Sequence, residues 1–102
     1  MKKRKPVEID EASMMEVAEA FRSLKSAEEI RRFFDELCTP AECRDIALRW
    51  LLMKQLLDGV PQRAIAKDLG LSLCKITRGS KYVKDETSVF RRLALRALKR
   101  PQ

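Results

Sequence analysis

The chain has no histidine, only three glycines, one tryptophan and one tyrosine among its 102 residues. The first absence removes the imidazole, the usual general base near neutral pH and the commonest nitrogen ligand for a metal. Three cysteines are present, Cys38, Cys43 and Cys74. With no imidazole and no second cysteine pair, they do not complete a tetrahedral metal set, and no metal is expected. An odd cysteine count, with no signal-type apolar core after the basic residues 2–5, fits reduced thiols in a cytoplasmic protein. No apolar run is long enough to span a bilayer, so no membrane partner is expected. There is no phosphate-cradling glycine loop and no evident carboxylate pair, and a lone cysteine without a base partner is a poor nucleophile. The chain is therefore not expected to be an enzyme or to carry a cofactor.

Charge is present in quantity and is unevenly placed. The formal net charge is +7, from 22 Lys and Arg against 15 Asp and Glu. Residues 1–7 carry +4, residues 8–60 carry −5 and residues 61–102 carry +8. A basic lobe of this kind attracts a polyanion, with an affinity that falls steeply with salt. Residues 1–8 are expected to form a flexible basic arm, and residues 9–102 a single helical domain.

Apolar periodicity is helical throughout, with no period-two alternation to suggest a strand. Met14, Val17, Ala18, Phe21 and Leu24 form one stripe over residues 11–25. Ser26 and Glu29 form a capping box for a second helix with Ile30, Phe33, Phe34 and Leu37 on its core face. Thr39, Pro40 and Glu42 open a third, ended by Gly59. Its sequence ALRWLLMKQLL is apolar around most of the circumference, which predicts a central helix with Trp50 in the core. A last helix is predicted over residues 86–100, capped by Asp85 or Thr87, with Val89, Phe90, Leu93, Leu95 and Leu98 packing inward.

Residues 61–79 have the grammar of a helix-turn-helix. Ile65, Ala66 and Leu69 share one face of a short helix, Gly70 stands where the chain must turn, and Leu71 and Ile76 supply the next apolar face. A small residue such as Ala66 suits two steeply crossing helices, and glycine takes positive φ without steric cost. Ser72, Lys75, Thr77 and Arg78 fall on the solvent side, where side chains can reach phosphates and base edges of duplex DNA. The first two helices are short and cannot build a deep core alone, so the expected architecture is an all-α, six-helix, intertwined homodimer. A two-fold dimer sets its reading helices about 34–36 Å apart, which favours a palindromic site.

TPAECRDIALRWLLMKQLLDG, PQRAIAKDLG and above all KITRGSKYVK resemble the bacterial tryptophan repressor family. Residues 24–39 are more similar to the uncharacterised Gram-positive branch of that superfamily. The resemblance implies a repressor of transcription with L-tryptophan as corepressor, acting on tryptophan biosynthesis or uptake genes. It implies a ligand held by Arg49 and Arg78, with Thr39 at the rim, backbone carbonyls around Glu36 and Cys38 accepting from the ligand amine, and Gly79 admitting the ligand to the main chain. Tyr82 stands where the family has a serine near the ligand carboxylate. For DNA the pattern carries over to Gln62, Arg63, Leu73, Cys74, Lys75 and Thr77. Arg63 is placed to contact guanine directly, and Lys81 and Lys84 to contact phosphates. Two other readings remain open: a regulator of the same superfamily that is constitutive or answers to another small molecule, and a basic helical module for protein or RNA.

Overall fold

In the computed structural model, which describes residues 8–99, four of the helices start where a short polar side chain satisfies a first free amide, and the fourth helix of the chain, which starts after Pro61, has no such cap. Asp10 caps α1 (Glu11–Ser23), accepting from the Ser13 amide at 3.2 Å and the Ser13 hydroxyl at 2.8 Å. Ser26 caps α2 (Ala27–Leu37) through the Glu29 amide at 3.1 Å. The third helix, α3 (Pro40–Leu57), ends in a Schellman motif. Gly59, at φ 80°, donates to Leu56 O, and Val60 donates to Gln55 O. α4 (Gln62–Leu69), α5 (Leu73–Ser80) and α6 (Val89–Ala97) complete the element order, with no strand among the described residues. Residues 1–7, which make up nearly all of the expected basic arm, lie outside the described residues.

Two compact units divide the chain between Thr39 and Pro40. The first holds α1 and α2. Phe21 packs against Phe33 and Phe34, with ring centroids 4.9 and 5.2 Å apart. Neither helix buries a residue fully. Met14 and Leu37, expected on core faces, are 53% and 51% exposed. Two helices of 13 and 11 residues offer each other one stripe apiece, which leaves the stripe edges in solvent.

The second unit is built around α3, which packs against α4, α5 and α6. Leu52 of α3, Ile65 of α4 and Ile76 of α5 form its buried cluster, flanked by Leu56, Val60, Ala66, Leu69 and Leu71. On α6, Ala94 and Leu95 are buried, and Phe90 stacks on Trp50 with centroids 6.0 Å apart and planes 15° from parallel. The guanidinium Nε of Arg91 donates to Val83 O at 2.8 Å and pins the α5–α6 turn.

The last helix departs from expectation. It starts at Val89 rather than near residue 86, and its cap is Ser88, which accepts from the Arg91 amide at 3.0 Å. Asp85 instead takes the amide and hydroxyl of Thr87, at 2.9 and 2.6 Å, in an Asx turn that spends both predicted caps. Val89 and Leu93, expected to pack inward, are 54% and 40% exposed. It also ends at Ala97 rather than near residue 100, with Leu98 as its C-cap and Lys99 turning at φ 57°.

Candidate ligand pocket and nucleic-acid-binding face

The helix-turn-helix forms because Gly70, at φ 65°, lets the chain reverse, while the Leu71 amide donates back to Ala66 O at 3.1 Å. The Ser72 hydroxyl then accepts from the Lys75 amide at 3.3 Å and starts α5. Ser72 thus serves as a helix cap, although its sequence position suggested a residue facing DNA. Ile65 and Ile76 are fully buried and clamp both helices onto Leu52.

With its apolar face fixed on α3, the motif turns its other face to solvent. Gln62, Arg63, Leu73, Cys74, Lys75, Thr77, Lys81 and Lys84 are all exposed. Among the described residues, Arg63, Lys75, Arg78 and Lys84 make no ion pair. The Lys81 ammonium lies 5.2 Å from the centroid of the Tyr82 ring. The surface is therefore an uncompensated cationic face, with an apolar patch from Leu73 and Cys74 at the start of the reading helix.

Behind that face, within the same unit, is a pocket of about 360 Å³. Asp45, Leu48, Arg49, Leu52 and Met53 line it from α3, a run of three- and four-residue steps along one helix face. Lys75, Arg78, Gly79 and Tyr82 line it from α5 and the turn after it, again at helical steps, and Leu71 and Phe90 close it. Four residues expected at a ligand, Arg49, Arg78, Gly79 and Tyr82, thus come together around one space. Thr39, the fifth, is the last residue of the other unit.

Gly79 has a definite packing reason. A Cβ there would fall 3.0 Å from Leu52 Cδ2 and 3.7 Å from Leu56 Cδ1, so any larger residue would push Leu52 aside where α5 lies against α3. Sequence reasoning assigned Lys75 to DNA alone and passed over Asp45. Both were legible from spacing, since Asp45 is one turn before Arg49 and Lys75 one turn before Gly79. No group of three or more potential metal-binding side chains occurs among the described residues. No described helix is long and apolar enough to cross a membrane.

The Trp repressor protein family model matches residues 12–98. A Trp operon repressor homolog of Chlamydia trachomatis serovar L2 is 33% identical over 78 residues, covering 72% of this chain and 83% of its own. The uncharacterized protein YerC of Bacillus subtilis is 35% identical over 75 residues, covering 71% and 72%. No solved structure matches the chain. With a family match that runs from α1 through α6, the chain belongs to the Trp repressor family of DNA-binding regulators.

Proposed function

We propose that this protein is a cytoplasmic, ligand-gated transcriptional repressor that binds a palindromic operator as a homodimer, with L-tryptophan as corepressor for tryptophan biosynthesis or uptake genes. One observation carries the reading. Helix α5 is at once the bearer of the exposed cationic face and a wall of the pocket, with Lys75 and Arg78 belonging to both. A flat ligand between Arg49 and Arg78 ties α5 to α3 and selects one orientation of the reading helix. Guanidinium planes suit an aromatic face, and either arginine can pair with a carboxylate. The coupling is reciprocal: operator DNA tightens ligand binding by the factor by which ligand tightens DNA binding.

Support for pairing with a second copy comes from apolar surface that one copy leaves open. Ile46 and Leu51 of α3 and Val89 and Leu93 of α6 are exposed in the second unit, as are Met14, Met15 and Leu37 in the first. Sedimentation should give twice the mass of one chain, and a monomer at micromolar concentration would contradict the dimer. Tyr82 in the pocket wall favours one second reading, a regulator answering to another small molecule. Arg49→Ala separates ligand gating from constitutive binding. It weakens operator binding only if a ligand at that arginine is needed.

A further inference from the structure

The turn between α5 and α6 carries Lys81 and Lys84. Within it, Tyr82 donates to Gly79 O at 3.2 Å, Val83 to Ser80 O at 3.1 Å and Asp85 to Tyr82 O at 3.3 Å. These bonds and the Asp85–Thr87 pair shape the turn, but they tie it only to itself and to the helix ends that flank it. One side chain reaches it from further away. Arg91 of α6 donates through Nε to Val83 O at 2.8 Å, and among the described residues no other helix sends a side chain to hydrogen-bond with the turn. Arg91 is itself anchored. It is half-buried, its amide donates to Ser88 Oγ at 3.0 Å, and Ala94 and Leu95 of the same helix are buried. A charged donor on a part-buried carbonyl makes a stronger bond than a neutral one. After the two Thr87 bonds, the Arg91 charge also helps to hold the Asp85 carboxyl below its ordinary 3.8. Both neighbours of Lys84, Val83 and Asp85, therefore feel Arg91.

The accepting carbonyl belongs to the peptide that joins Val83 to Lys84. That peptide is planar, so fixing its oxygen fixes the plane in which the Lys84 Cα lies. Lys81 leans over the Tyr82 ring, 5.2 Å from its centroid. Lys84 is exposed and makes no ion pair among the described residues, which leaves it to meet an anion. Phosphate contacts set the register of a protein on a duplex, so it matters where the backbone presents the cation. Resting on the DNA-binding reading above, we propose that Arg91 is a positioning residue for DNA binding: its bond to Val83 O aims Lys84 at a phosphate, and Arg91 does not touch the DNA itself.

Phosphate contacts carry no sequence information, so a mixed-sequence DNA duplex serves as the probe, with L-tryptophan present in every arm. Fluorescence anisotropy of the full chain across a salt series reads both the affinity and the number of phosphates engaged. Arg91→Met keeps the side-chain stem and removes the donor and its charge. With Lys84 in place, it should weaken binding about fivefold and lower the salt slope by about 1. Combined with Lys84→Ala it should add nothing: the double variant should match Lys84→Ala alone in affinity and in slope. Arg91→Lys, which keeps a cationic donor, should recover part of the loss. Equal effects of Arg91→Met with and without Lys84 overturn the proposal, because Arg91 then acts on DNA independently of Lys84. A loss of stability to urea with an unchanged salt slope overturns it too, because Arg91 then serves folding alone. A wild-type chain with no salt-dependent affinity for the duplex overturns the DNA-binding reading, and the proposal with it.

Discussion

Gly79 and Leu52 face each other so closely that a methyl group on Gly79 would lie 3.0 Å from Leu52 Cδ2. Leu52 is buried beside Ile65 and Ile76 and also lines the pocket, so giving way to a methyl group reshapes the pocket wall. Overpacking costs about 1–3 kcal/mol, and the better helix propensity of alanine returns about 1 kcal/mol. Gly79→Ala should therefore destabilise the fold by about 1 kcal/mol in urea unfolding and weaken L-tryptophan, since the same contact shapes the pocket wall. A stabilised variant would contradict the contact.

Ile76 joins the reading helix to the rest of its unit. It is fully buried against Leu52 and Ile65. Ile76→Ala should cost about 2–5 kcal/mol of unfolding free energy. Thr77→Ala, one residue away but exposed, should stay within about 0.5 kcal/mol. Equal effects at the two positions would mean that α5 does not dock through this face.

Arg63 and Lys84 are both exposed and unpaired, yet they should fail differently. Arg63→Ala should cost about 1–3 kcal/mol on a cognate duplex and relax preference at one base pair. Lys84→Ala should weaken all duplexes alike and lower the salt slope by about 1. Electrophoretic mobility shifts across a salt series, on cognate and scrambled duplexes, distinguish the two. Identical behaviour would contradict the division into base-reading and phosphate contacts.

Acid should act on Asp10, a helix cap, and on Asp85, which holds the Asx turn. The Ser13 hydroxyl, and then the Ser13 amide, hold the Asp10 carboxyl below its ordinary 3.8. The Thr87 hydroxyl, followed by the Thr87 amide, does the same for Asp85. Because folding lowers both values, the stabilisation they supply is complete above the unfolded value near 3.8 and fades as pH falls through the folded values. Carboxyl NMR titration should place both midpoints below 3.8. A midpoint at or above that value would mean the cap or the Asx turn is absent.

Helix starts were legible where one polar residue stood alone before an apolar run, as Ser26 does. The last helix was misplaced because Asp85, Thr87 and Ser88 all qualify as caps within four residues. Asp85 takes the Asx turn and Ser88 the cap, a division of roles that residue type alone does not decide. The buried cluster of the helix-turn-helix followed from the spacing of Ile65, Gly70 and Ile76. The exposure of Val89 and Leu93 did not, since periodicity names an apolar face without saying what covers it. Arg49 and Arg78 were found through resemblance, and Asp45 was missed because the resemblance gave it no role.

The central claim is that one site on α3 and α5 gates one surface on α5. Titration of L-tryptophan into the protein, free and saturated with a palindromic operator duplex, measures both halves at once. Binding is expected in each case, tighter with operator by the same factor by which L-tryptophan tightens operator binding. No heat in either titration, or equal affinities with and without DNA, would contradict it.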